Sequence, residues 1–328
     1  MPIRPSYGES HYDKALTDFA IVFDTKPGDY VAGQAATTVP VDQESGAYSK
    51  FTLASWIRSQ AGPRMPGQPL KEGGFAAEWG TYLCQENGLK GKIADRDRAG
   101  SVYDQDAAKT AFLLNQCMLE REIAFAADCF VTGKWTGEYD PAGAGKKWND
   151  STVAAIMANI DTGRRTIKLG CLNDPNVFIV GYDVHTAIKN DSAIKEQIKT
   201  VAGTSFDIAK TGEADLRQAL AKLFELEEYI VAKAVYNSSP EGAASPTIGF
   251  VCAADNALLL YRPKTGSTSD VTALASFRMR GWGDNDRGIK IEKYPWTIDA
   301  ADHIDASYLE DLVIPCNGAG YFFDNAIA

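Results

Sequence analysis

Between residues 102 and 132 the chain carries neither glycine nor proline, the two residues that most readily interrupt a helix. Ser101, with Asp104 three positions on, forms a capping pair, and Gly133 stands where a helix-ending glycine belongs. The pattern predicts one helix over 102–132, about 40–45 Å long at roughly 1.5 Å per residue. Ala108, Phe112, Leu119, Ile123, Ala126 and Phe130 recur at spacings of three, four and seven. They are the expected buried face, with Lys109, Gln116 and Glu120 on another. A helix as long as a small domain obliges the rest of the chain to pack along it. Alone it also suits the scaffold of an ordinary enzyme, so the segments around it decide.

The 328 residues are 45% hydrophobic, enough for a substantial core and for two lobes. A net charge of −10 argues against nonspecific gripping of nucleic acid, which needs Lys and Arg to neutralise phosphates. Cys84, Cys117, Cys129, Cys171, Cys252 and Cys316 include no CxxC pair and no regular spacing, which argues against a zinc site and a disulfide framework. They read as small buried hydrophobes in a reducing compartment. The N-terminal residues lack an apolar signal-peptide core, and no apolar run approaches the ~20 residues of a membrane span. The expectation is a protein made in the cytoplasm, without a membrane partner.

Residues 1–45 show little periodicity beyond a short strand at 18–23, and read as an extended arm that buries little in its own subunit. From 47 to 58 the chain is aromatic and β-branched, its first half alternating. Pro63, Pro66 and Pro69 then punctuate an irregular tip, and a second run follows over 75–83. Together, 46–80 read as a long two-stranded hairpin. An isolated hairpin is marginal in water. One carrying Phe51, Trp56, Met65 and Trp79 is expected to lie on a neighbouring subunit, with Arg58 and Arg64 beside them as further intersubunit contacts.

Beyond the long helix, helices are expected over 151–169, 183–199 and 213–224, and strands over 176–180, 229–236, 247–251, 257–261, 277–282, 289–294, 313–314 and 321–323. This mixture is α+β. Candidate chemistry is sparse. The 140–147 loop fails the phosphate-loop pattern, because Asp140 replaces the first glycine and Lys147 the Ser or Thr. His185 reads as structural, nothing marks Cys171 as activated, and 284–288 reads as a tight turn. Asp299, Asp302 and Asp305 around His303 suit a solvated acidic loop as well as a cation. No catalytic, cofactor-binding or metal-ligating set emerges, so the expectation is no enzyme and no cofactor.

Several stretches carry a likeness to a known family: TYLCQENGL at 81–89 followed by Ile93-Ala94-Asp95, EREIAFAA at 120–127, DPNVFIVG at 174–181, LFELE at 223–227 with IVAKAVYN at 230–237, ALLLYRP at 257–263 and GAGYFF at 318–323. Their order and spacing resemble the major capsid proteins of tailed bacteriophages, with the Hong Kong 97-type fold. The likeness runs from about Val39 to the C-terminus.

The resemblance implies an arm (1–45), an extended hairpin loop (46–80), a peripheral domain (81–164 and 276–328) containing the spine helix (102–132), and a compact axial domain (165–275). It implies a homo-oligomeric shell of hexamers and pentamers, forming an icosahedral head that encloses double-stranded DNA without specific binding. The virion is the expected location, after assembly in the host bacterial cytoplasm. A separate scaffolding protein, a portal and a decoration protein are the expected partners. The alternatives are an encapsulin-like compartment shell in the same fold and, in a different class, an α+β hydrolase or transferase.

Overall fold

The computed structural model describes residues 27–101, 104–140, 147–149, 156–202, 212–266, 270–283, 288–296 and 300–327. Expectations placed on 1–26, 102–103, 141–146, 150–155, 284–287 and 297–299 lie outside them. In chain order the strands are β1 (Thr37–Val41), β2 (Ser45–Phe51), β3 (Ala77–Leu83), β4 (Gln85–Ala94), β5 (Gly137–Tyr139), β6 (Val177–Val180), β7 (Glu228–Val231), β8 (Val235–Asn237), β9 (Ile248–Phe250), β10 (Ala257–Leu260), β11 (Ala275–Met279), β12 (Lys290–Trp296), β13 (Ala301–Val313) and β14 (Gly320–Phe323).

Two sheets organise the chain. In the first, β1 pairs parallel with β11, and β11 and β12 share one edge of β13 while β4 runs antiparallel along the other. The second has the order β5-β14-β10-β6-β7. Its central strands, VFIV, ALLL and GYFF, are buried at every residue. A strand covered on both faces reads as a continuous apolar run, which is what these are. The helices Ile156–Cys171, Tyr182–Asn190, Ser192–Ala202 and Glu213–Leu223 complete this half.

The long helix spans Gln105–Asp128 and joins the two halves. Leu113 and Cys117 pack with Ile93, Ile304, Ala306 and Tyr308 of the first sheet, while Phe125 belongs to the core of the second. Its cap is Asp104, which accepts from the Asp106 and Ala107 amides at 3.0 and 3.1 Å. Gly133, at φ +84°, lies beyond the helix end in the following turn.

The buried face differs from the expected one. Ala108 and Phe112 are exposed, Leu119, Ile123 and Ala126 half-buried, and only Phe130 buried. The buried residues are Leu113, Cys117, Glu122 and Phe125, and half-buried Arg121 completes the i+4 row of Leu113, Cys117 and Phe125. Arg121 conceals this row in an apolar-pattern reading. Its guanidinium lies 4.3 Å above the Tyr308 ring and pairs with Glu310 at 2.6 Å, so a charged residue occupies a packing position.

Other expectations are corrected by local hydrogen bonding. The 47–58 strand ends at Phe51 and becomes a helical turn, Leu53–Trp56. The 183–199 helix is two helices, broken at Asp191, whose carboxylate accepts the Ile194 amide at 2.8 Å. The 229–236 strand splits between β7 and β8, which belong to different sheets. The acidic loop around His303 is part of β13. Asp302 there pairs with Arg98 of the helical turn Asp95–Gly100 at 2.8 Å, and Asp305 Oδ2 accepts from the Tyr294 hydroxyl of β12 at 2.9 Å, so each acid has a partner from another element. Residues 30–41, read as part of an arm burying little, instead bury Tyr30, Val31, Ala35, Val39 and Val41 through a helical turn and β1.

Candidate assembly surface

The hairpin is built from β2 and β3, in register from Ser45 opposite Leu83 to Phe51 opposite Ala77. Glycine sits opposite tyrosine twice, Gly46 with Tyr82 and Tyr48 with Gly80. A Cβ on either glycine would lie within 2.6 Å of the facing tyrosine ring or its hydroxyl. The bare glycines thus let both rings fold across the ribbon. The rings land on Phe277 of the first sheet, Tyr82 stacked at 4.6 Å and Tyr48 tilted at 5.3 Å. Two further bonds fix the base: the Leu83 amide to Asp311 Oδ2 at 2.8 Å, and the Cys84 amide to the Glu44 carbonyl at 2.7 Å.

Past Phe51 the tip is tied to itself. Ser55 Oγ accepts the Ala76 amide at 3.0 Å, and Trp56 meets Phe75 edge-on at 5.5 Å. The Gln60 side-chain amide donates to the Gly74 carbonyl at 2.7 Å, and its oxygen accepts the Gly74 amide at 2.8 Å. These bonds close a tip that its prolines and glycines keep out of any regular element.

Large apolar side chains on this projection face solvent. Trp79 is 73% exposed, Met65 71%, Leu70 68% and Trp56 59%. Arg58 and Arg64 are exposed as well, and Phe51 is the last residue of β2, opposite Ala77. Among the residues singled out from sequence, Trp56 gains an aromatic neighbour, Phe75, from across the tip. Ile57, Leu70 and Phe75 are further exposed apolar residues that the sequence reading did not select. Their signal was available, since each is apolar within or beside a Pro- and Gly-rich stretch where no core can form around it.

The two residues weighed as catalytic lie inward. His185 is buried, with Nδ1 3.1 Å from the Tyr229 hydroxyl, and burial depresses its pKa to about 4. Burial lifts the Cys171 thiol to about 11. Neither group suits nucleophilic or base chemistry at neutral pH. Among the described residues no cluster of three His, Cys, Asp or Glu is placed to hold a metal, and no helix is long and apolar enough to cross a membrane.

No protein-family model matches the sequence, and no curated protein matches it. Solved structures do. A phage-related protein from Bordetella bronchiseptica RB50 superposes with a TM-score of 0.68 at 16% identity, over 92% of this chain and 94% of that one. The capsid of cyanophage P-SCSP1u gives 0.58 at 10% identity, over 96% and 98%. The mature capsid of bacteriophage PhiM1 gives 0.54 at 14% identity, over 99% and 92%. Two sheets bridged by one long helix, with a hairpin projecting from the first, are therefore the α+β Hong Kong 97-type fold of tailed-phage major capsid proteins.

Proposed function

We propose that this chain is the structural subunit of a capsid shell. Copies assemble into hexamers and pentamers, which close an icosahedral head around double-stranded DNA in the virion. The observation that carries this reading is the hairpin, anchored by aromatic packing at its base and carrying Met65, Leu70 and Trp79 into solvent. Exposed apolar surface of this kind marks contact with another protein, and within this fold the available partner is the next copy. Fully burying such a side chain contributes about 1.5–3 kcal/mol. A contact repeated around a ring therefore stabilises it by many times that amount.

In this reading residues 165–275 form an axial domain that meets its copies at capsomer centres. Residues 81–164 with 276–328 form the peripheral domain, and 46–80 overlap the neighbouring subunit. The net charge of −10 suits a container that encloses DNA without adhering to it. Light scattering and negative-stain microscopy test the reading, on protein expressed alone and then with its neighbouring genes. Rings of five or six subunits, or closed shells, are expected. Nucleic acid inside purified particles distinguishes a head from a protein compartment. A persistent monomer under both conditions overturns the proposal.

A further inference from the structure

In the helical turn Asp95–Gly100, none of the side chains described, from Asp95 to Arg98, is buried, and the first buried residue of the long helix is Leu113. The turn and the first two turns of the helix therefore rest on the first sheet with little apolar packing of their own. Charge holds them instead. Arg98 Nη2 pairs with Asp106 Oδ1 at 2.9 Å and with Asp302 Oδ2 at 2.8 Å. Lys293 Nζ pairs with Asp106 Oδ2 at 2.8 Å and with Asp302 Oδ2 at 3.4 Å. Each cation meets both acids and each acid both cations, so the four close a ring of alternating sign. Its members come from four elements: the turn, the start of the long helix, β12 and β13.

We propose that this ring is a charge-released clamp: when its charges are screened or removed, residues 95–101 and 104–112 come off the sheet together, while the helix from Leu113 onward stays seated. The inference concerns the isolated subunit and does not depend on the shell reading. Leu113, Cys117 and Phe125 fasten the rest of the helix by apolar burial, which salt does not screen. The ring is open to solvent, from 18% exposure at Asp302 to 45% at Lys293, so ions reach it and weaken it.

Both acids carry charge at neutral pH. Lys293 and Arg98 hold the Asp106 carboxyl below its ordinary range, and Arg98 and Lys293 do the same for Asp302. Two further anchors set a floor that salt leaves in place: the Asp95 amide on the Ala300 carbonyl at 3.0 Å, and the Lys109 stem lying over Gly91. Because β4 runs from the hairpin straight into the turn, the clamp fixes the joint between the hairpin's second strand and the long helix.

Hydrogen–deuterium exchange of unassembled, full-length subunits tests this, comparing peptides covering 95–112 with peptides covering 117–128. Raising sodium chloride from 0.1 to 1 M shortens the screening length from about 10 to about 3 Å. The expected result is a rise of several-fold in the opening constant of 95–112, with 117–128 unchanged. A partly exposed ion pair is worth up to about fivefold in an equilibrium constant. Lys293→Gln and Asp106→Asn each remove two pairs, and each should raise the opening of 95–112 by roughly tenfold at 0.1 M and reduce its response to salt. Wild-type opening that ignores salt, either variant matching wild type at 0.1 M, or a rise that spreads equally to 117–128 overturns the clamp. Because no assembled particle is involved, that failure leaves the shell reading untouched.

Discussion

Replacing Trp79 by threonine separates the assembly role of the hairpin from its folding. Trp79 lies in β3 opposite Ser49 and is 73% exposed, so the isolated subunit gains little from its indole. Threonine preserves strand propensity. The subunit's unfolding free energy, read from urea titration, should stay within about 0.5 kcal/mol of wild type, as for surface substitutions generally. A tryptophan carries ~150–250 Å² of buriable surface. Covering the exposed three-quarters of it at about 25 cal/mol per Å² contributes roughly 3–4 kcal/mol to each contact. Since about 1.4 kcal/mol is tenfold in an equilibrium constant, each contact should weaken by at least ~100-fold. Light scattering against subunit concentration reads this as a higher assembly threshold. An unchanged threshold with unchanged subunit stability would show that no neighbour covers Trp79. A large loss of subunit stability would show that β3 packs on its own body instead.

Three further outcomes follow from the packing. Leu113→Ala should cost about 3–5 kcal/mol, because Leu113 has no exposed surface and its site is closed by Ile93, Ile304 and Tyr308; Phe112→Ala, at a half-exposed position, should cost under ~1 kcal/mol. Equal shifts in urea midpoint for the two would refute the observed orientation of the long helix. His185, held neutral with a pKa of about 4 against an ordinary 6.5, contributes stability that is fully present above pH 6.5 and is lost as pH falls toward 4, by about 3 kcal/mol. His185→Gln should therefore lose less stability than wild type as pH falls from 6.5 to 4.5, read from urea titration at each pH. A Cβ on Gly170 would lie 2.4 Å from the Gly318 carbonyl oxygen, where the helix Ile156–Cys171 rests on the turn Asn317–Ala319. Gly170→Ala should therefore lower the unfolding free energy by about 1–3 kcal/mol, and a neutral result would show that this contact relaxes freely.

Much of the architecture was legible in the chain itself. VFIV, ALLL and GYFF are continuous apolar runs, and only a strand covered on both faces tolerates them. The absence of glycine and proline over 102–132 announced one long helix, and prolines at 63, 66 and 69 announced an irregular tip between two strands. Those signals are local, since the backbone geometry of each residue type acts within a few positions of itself.

What only the tertiary structure decided is which surface of each element is buried and where its polar groups find partners. Arg121 interrupts the apolar pattern of the long helix, yet occupies the buried row because Glu310 and Tyr308, far along the chain, receive its charge. Glu122 reads as a solvent-facing acid until the amides of Val31 and Ala32, about ninety positions away, are found against it. Asp302 and Asp305 suggested a loop because the partners that allow acids within a strand, Arg98 and Tyr294, come from other elements. Apolar side chains signal burial by their own chemistry. Buried charges depend on groups brought together only by folding, and for that reason the sequence alone does not disclose them.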